Sequence, residues 1–312
     1  MSSFIKTMTT QTLVNNPRVR SNAQRRKQLT PYLYLLPTIL PLLLLTLYPF
    51  LRVIGLSFTG YDLYKRDSSF IGLSNFTQLL TQDNLFWLAL RNNVIWTFGI
   101  VIATYILGLL TALALNENFP LRTFFRGITL VPWVCPGVVA ALIWNLIYDP
   151  NFSFLSYGLQ QLGITERRIG FLSDKNTALY AAMVMAIWKF LPFMIVMLLA
   201  GLQAIPSELY EAAAIDGADL GQKFRHITLP LLNRVGSVAL LLSVISAFNH
   251  FDSLFVLTGG GPGNRTMLLS LMTYQSAFRY FQIGYSSALG ILMMLILLVP
   301  LTLYMRRVLL DV

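Results

Sequence analysis

Six stretches of this 312-residue chain are each apolar for about twenty residues or more. At 1.5 Å of rise per residue that is the helical length needed to cross a hydrocarbon core of about 30 Å. They lie near Tyr32–Leu51, Val94–Leu115, Gly127–Tyr148, Ala178–Leu202, Val235–Leu257 and Ile283–Met305. Inside a bilayer each backbone N–H and C=O must be satisfied within its own segment, so such runs predict an all-α membrane protein of six transmembrane helices. Only 12% of residues are charged, against about 25% in a soluble domain. The first run is too long for a signal-peptide core and lacks a small-residue cleavage motif, so it reads as a retained anchor.

The net charge of +10 would suggest nucleic acid in a soluble protein. Here the cations sit between apolar runs and form no stripe interleaved with aromatics, so no nucleic-acid partner is expected. Counted by side, thirteen flank the membrane with the N-terminus and seven lie opposite. The positive-inside effect then puts both termini and the segment at about 203–233 on the cytoplasmic face. Residues 1–30 are basic, free of acids and without apolar periodicity, which predicts a mobile tail near anionic lipid headgroups. The rest, 31–312, reads as one six-helix domain without an internal repeat. Prolines recur within the spans (Pro37, Pro41, Pro49, Pro132, Pro136 and Pro192), and each predicts a kink.

Between the fourth and fifth spans lies a polar island, EAAAIDGADLGQKFRHITLP at 211–230. Ser207 is placed to cap a short helix, with Glu208 at its positive end and Gly217 closing it. Asp219 then restarts a helix with Gln222 three residues on, the spacing of a capping box. Lys223, Arg225 and His226 are expected in its last turn, and Pro230 marks the return to the membrane. Leu209, Ala212 and Ala213 share one side of the first helix, and Leu220, Phe224 and Ile227 one side of the second. Helices this short need a surface to pack on. An interfacial pair resting on lipid is one reading. Four acids (Glu208, Glu211, Asp216 and Asp219) would be repelled by an anionic leaflet and held by a protein with a placed cation.

Glu211-Ala212-Ala213, then three residues, Gly217, nine residues, and Ile-x-Leu-Pro at 227–230 resembles the signature loop of permease subunits of ABC importers, strengthened by Asp216-Gly217-Ala218. LTGGGPGNRT, followed by Tyr274 and Ala277-Phe278, is similar to the sugar-type branch of that family, as are FIGLSNF near 70 and Asn93 at the start of the second span. The resemblance covers the chain from about residue 32. It implies the type I importer permease fold in a bacterial inner membrane, with the two short helices as the coupling helix docked on an ATPase subunit. Glu211 would pair with a cation there, Ala212 and Ala213 would allow close contact and Gly217 would make the turn, with Asp216, Ala218, Leu220 and Phe224 among the residues that couple to the ATPase. The resemblance also implies a second homologous permease subunit, an ATPase dimer that binds ATP and Mg, and an external solute-binding protein facing Gly260, Gly261 and Pro262.

GGGPGNRT has the look of a phosphate loop, but that pattern needs glycine followed by lysine and then Ser or Thr, and Asn264 follows Gly263. No ATP site is therefore expected on this chain, and His226 and His250 are too isolated for a metal site. Ionisable groups at membrane depth are expensive and default to function. Lys189, His250 and Asp252 are the candidates, with Trp144, Asn145, Trp188, Ser246 and Asn249 offering stacking and hydrogen bonds to a polyhydroxylated solute. A Lys189–Asp252 pair holding helices together is the structural alternative. A secondary transporter would show matched halves, and an enzyme a nucleophile with a matched base. Neither is visible, so the sequence points to a transport subunit that requires a partner.

Overall fold

The computed structural model describes residues 34–35, 37–65, 69–151, 154–163, 165 and 169–310. The expected basic tail at 1–30 lies outside them. Contacts divide the chain into Met1–Leu56 and Ser57–Val312. Among its described residues the first unit carries helix α1, which spans Pro37–Ser57. Its leucines from Leu40 to Leu51 are all exposed, Leu45 at 77%, as expected of a helix whose solvent is lipid or another chain. It ends six residues beyond the expected Leu51, because Val53, Ile54 and Leu56 continue the apolar run past Arg52.

The second unit is helical among its described residues, apart from two isolated bridges, Thr59 with Phe70 and Asp62 with Gln282. In order come α2 (Ser74–Thr81), α3 (Asn84–Asn116), α4 (Arg122–Ile128), α5 (Val131–Val134), α6 (Gly137–Tyr148), α7 (Phe154–Gln161) and α8 (Ala178–Gln203). Then follow α9 (Ser207–Ile215), α10 (Leu220–Lys223), α11 (Leu229–Phe248), α12 (Asp252–Leu257), α13 (Leu269–Tyr274) and α14 (Ile283–Leu310). The second span begins ten residues before the expected Val94, because Asp83 caps α3 by accepting from the N–H groups of Leu85 and Phe86. Helices α3 and α8 pack along much of their length with α11 across them. Trp96, Ile100, Met183, Met185, Leu254 and Leu268 fill one end of this core, and Ala112, Met194, Leu198 and Leu232 the other.

Two expected spans are broken. The third turns by 96° between Arg122–Val134 and Gly137–Tyr148. Cys135 is extended at ψ 125° because the ring of Pro136 disfavours the α conformation in the residue before it. The fifth span stops at Phe248 and resumes at Asp252. At its other end it is longer than expected: α10 runs without interruption through a π turn, Phe224–Thr228, into α11. Lys223, Arg225 and His226 therefore occupy no last turn. Pro230 lacks an N–H, and the wider π turn just before it, closed by the N–H of Leu229 on the Phe224 carbonyl, lets the helix absorb the proline.

Candidate functional site

In the loop between α8 and α11 the capping prediction fails for Ser207. Pro206 is the N-cap, extended at ψ 132°, and no side chain caps α9, so Ser207 stands inside the first turn where its backbone is already helical. The other end is as expected. Gly217 has φ +80°, and the N–H groups of Gly217 and Ala218 reach the carbonyls of Ala214 and Ala213 at 3.1 and 2.8 Å. This pattern closes a helix through a left-handed residue, for which glycine carries no Cβ penalty. Asp219 and Gln222 form the reciprocal capping box, at 2.7 and 2.9 Å.

The Tyr210 hydroxyl meets Thr228 Oγ1 at 2.9 Å, pinning α9 to the base of the fifth span. Glu208, Glu211, Ala212, Asp216 and Asp219 are exposed, Ala213 and Ala218 half-buried. Phe224 turns inward, half-buried, to line a cavity of about 310 Å³ with Leu113, Leu202 and Tyr210. Leu220 is 86% exposed and Ile215, which the sequence reading passed over, 87%. Two large apolar side chains thus flank the turn among acids that have no ion-pair partner among the described residues.

The second polar cluster forms where the two broken spans meet, with α12 packed on α6. A helix end leaves carbonyls without partners, and here side chains from elsewhere supply them. Asn93 Nδ2 donates to the Phe248 carbonyl at 3.3 Å and Ser270 Oγ to that of His250 at 2.6 Å, while Asn249, the C-cap of α11, turns its own Nδ2 back to the Ile245 carbonyl at 2.9 Å. His250 is 5% exposed, stacked on Trp96 at 5.4 Å and edge-on to Phe190 at 5.3 Å. Its Nε2 lies 2.6 Å from Ser253 Oγ.

Lys189 and Asp252 do not form an ion pair. Lys189 Nζ donates to the Cys135 carbonyl at 2.6 Å, a group freed by the bend of the third span. The Asp252 side chain is 56% exposed, 3.9 Å from His250 Nδ1, and rests on Gly137. A Cβ at Gly137 would fall 1.9 Å from Asp252 Oδ2, so a side chain there would displace the carboxylate from this position. Trp144 and Trp188 pack on each other at 5.9 Å. Asn145, Ser246 and Asn249 are exposed, and Ser246 borders a cavity of about 100 Å³ with Thr104 and Phe193. Asn93, Trp96, Gly137, Ser253 and Ser270 were missed as members of this cluster. Asn92-Asn93 within an apolar run was the available signal, since amides at membrane depth need partners.

The glycine-rich loop packs under the same cluster. Gly260 is buried, with Gly261 and Pro262 half-buried, so the exposed tip is Gly263, Asn264 and Arg265. Thr266 Oγ1 donates to the Gly261 carbonyl at 2.7 Å, and Asn92 Nδ2 to those of Arg265 and Met267, each at 3.1 Å.

Two solved structures share this fold. One is of a bacterial ABC transporter involved in import of the acidic polysaccharide alginate, at TM-score 0.77 and 23% identity, covering 93% of this chain and 99% of that one. The other is of the alginate transporter in complex with an alginate pentasaccharide-bound periplasmic protein, at TM-score 0.77 and 24% identity over 92% and 96%. The architecture is the type I ABC importer permease fold. Residues 104–309 match the family of binding-protein-dependent transport system inner membrane components, and the chain belongs to it as a multi-pass inner-membrane protein. Among relatives, the trehalose/maltose transport system permease protein of Thermococcus litoralis is 37% identical over 89% of this chain and 93% of its own length. The arabinooligosaccharides transport system permease protein of Bacillus subtilis is 34% identical over 88% and 86%, and the sulfoquinovosyl glycerol transport system permease protein of Agrobacterium fabrum 35% over 89% and 90%.

Proposed function

We propose that the chain is one of two related permease subunits of an importer for a sugar, glycoside or polyol. In this reading an external binding protein delivers the solute, and a separate ATPase dimer, which holds the ATP and Mg, drives the cycle. The observation that carries the reading is the loop at 206–223. Its left-handed glycine turn holds Ile215 and Leu220 outward among Glu208, Glu211 and Asp216, an apolar centre with an acidic rim suited to a basic cleft on another protein. ATPase closure would reach the membrane through α10, because that helix is continuous with the fifth span and bears on its break at Asn249–Phe251. The positive-inside count supports placing this loop and both termini in the cytoplasm. The carbohydrate class is supported by the relatives' substrates and by the exposed carboxylate of Asp252 beside Asn249, with Trp144, Asn145, Trp188 and Ser246 on neighbouring turns. Lys189 holds the Cys135 carbonyl near that carboxylate, and His250 bonds the Ser253 hydroxyl one residue beyond it. Reconstitution tests the reading: the chain alone in liposomes takes up no labelled trehalose, maltose or polyol and hydrolyses no ATP, and both activities require the partner subunits. Accumulation by the chain alone down an ion gradient would replace this reading with a secondary transporter.

A further inference from the structure

The short helix α4 carries two arginines whose charge nothing nearby balances. Arg126 Nη2 donates to the Leu115 carbonyl at 2.8 Å, tying α4 to the last turn of α3. Its Nε is buried without any hydrogen-bond partner. Arg122 Nη1 reaches the neutral Asn118 Oδ1 at 2.5 Å. Among the described residues no carboxylate lies within ion-pair distance of either guanidinium. A half-buried cation without a counter-charge is costly, and α4 forms the first turns of the third span, where basic side chains meet lipid headgroups. Around the arginines Leu121, Phe124, Phe125 and Ile128 are exposed at 71, 59, 45 and 50%. Beginning at Ile128, two residues after Arg126, an apolar groove of about 440 Å³ runs between the α4–α5 segment and α8, lined by Thr111, Ile128, Val131, Trp188, Leu191 and Ile195. Thr111 stands one helical turn before Leu115, so the guanidinium bonds the turn of α3 next to the one that lines the groove.

We infer that this groove is a binding site for an anionic phospholipid, its phosphate on Arg126 and Arg122 and an acyl chain along Val131, Leu191 and Ile195. An acidic side chain of a cytoplasmic protein would satisfy the arginines and leave the groove empty, whereas a lipid satisfies both at once. The test is native mass spectrometry of the full chain purified in neutral detergent with equal amounts of palmitoyl-oleoyl phosphatidylglycerol and phosphatidylcholine. Phosphatidylglycerol is expected to be retained about fivefold over phosphatidylcholine, the ratio for one basic side chain on an anionic headgroup. Arg126→Gln removes that preference, Arg126→Lys keeps most of it, and Arg279→Gln, in a different part of the fold, leaves it unchanged. Leu191→Trp, which fills the groove, lowers retention of both lipids. Equal retention of the two lipids, a preference that survives Arg126→Gln, or one erased equally by Arg279→Gln would overturn the site. So would loss of the bound lipid when a second permease subunit co-purifies, since the groove would then be a subunit interface.

Discussion

The loop at 206–230 and the junction of α6 with α12 are the two places where polar residues interrupt an apolar chain, and they use their polar groups in opposite ways. In the loop the backbone is satisfied locally, by the Gly217 turn and the Asp219–Gln222 box, and the remaining acids point into solvent. In the junction the side chains come from distant segments: Asn93, Lys189 and Ser270 each serve a carbonyl released by a break in another helix. The first region is folded by its own sequence and completed from outside. The second is completed from inside and leaves one carboxylate, Asp252, exposed beside it. The loop is tied to the membrane helices through the Tyr210–Thr228 bond and the run of α10 into α11, so a displacement of its exposed face is passed to the fifth span.

Substitutions sharpen this contrast. The largest stability effect is expected for His250→Ala, which removes a buried ring from between Trp96 and Phe190 and leaves the fully buried Ser253 hydroxyl without its partner. The expected cost is about 2–4 kcal/mol, read as a lowered thermal inactivation temperature of the purified protein. A melting temperature equal to wild type would mean that the junction is not internally held. A smaller effect is expected for Lys189→Met, which keeps the length of the side chain and orphans the Cys135 carbonyl, a penalty of about 1–3 kcal/mol. The chain's single cysteine, Cys135, reports it directly, because loosening of the bend raises its alkylation rate by maleimide. An unchanged rate would return Lys189 from the bend to the solute pathway.

What was legible in the sequence follows the same division. The Gly217 turn and the capping box depend on neighbours within a few residues, and the structure has them where spacing put them, whereas the apolar runs were placed without their breaks and with some ends ten or more residues off. Ser207 was misread because Pro206, fixed in φ and extended in ψ, takes the cap one residue earlier. The continuity of α10 with the fifth span was hidden because Pro230 signals a helix end, and only the π turn before it shows otherwise. At the junction the residue types were visible and the partners were not. Lys189 was read as a solute ligand or the mate of Asp252, yet it bonds a backbone carbonyl fifty-four residues away. A carbonyl freed by a bend has no signature in sequence beyond the proline that causes it. Gly137 was likewise invisible, since the carboxylate it accommodates belongs to another span.

The central claim is that the loop, and not the junction, is where a partner ATPase takes hold. The most direct measurement is ATP hydrolysis stimulated by the solute-loaded binding protein, with the assembled transporter in nanodiscs, beside pull-down of the ATPase. Gly217→Val places a β-branched residue at φ +80°, costing on the order of 1 kcal/mol or more in the turn that presents Ile215 and Leu220, and Glu211→Arg reverses a rim charge. The account predicts that both variants insert and bind the external protein normally while losing stimulated hydrolysis or ATPase association, about tenfold for a loss of 1.4 kcal/mol. Wild-type stimulation and wild-type pull-down in both variants would contradict it and leave α9 and α10 as helices resting on lipid.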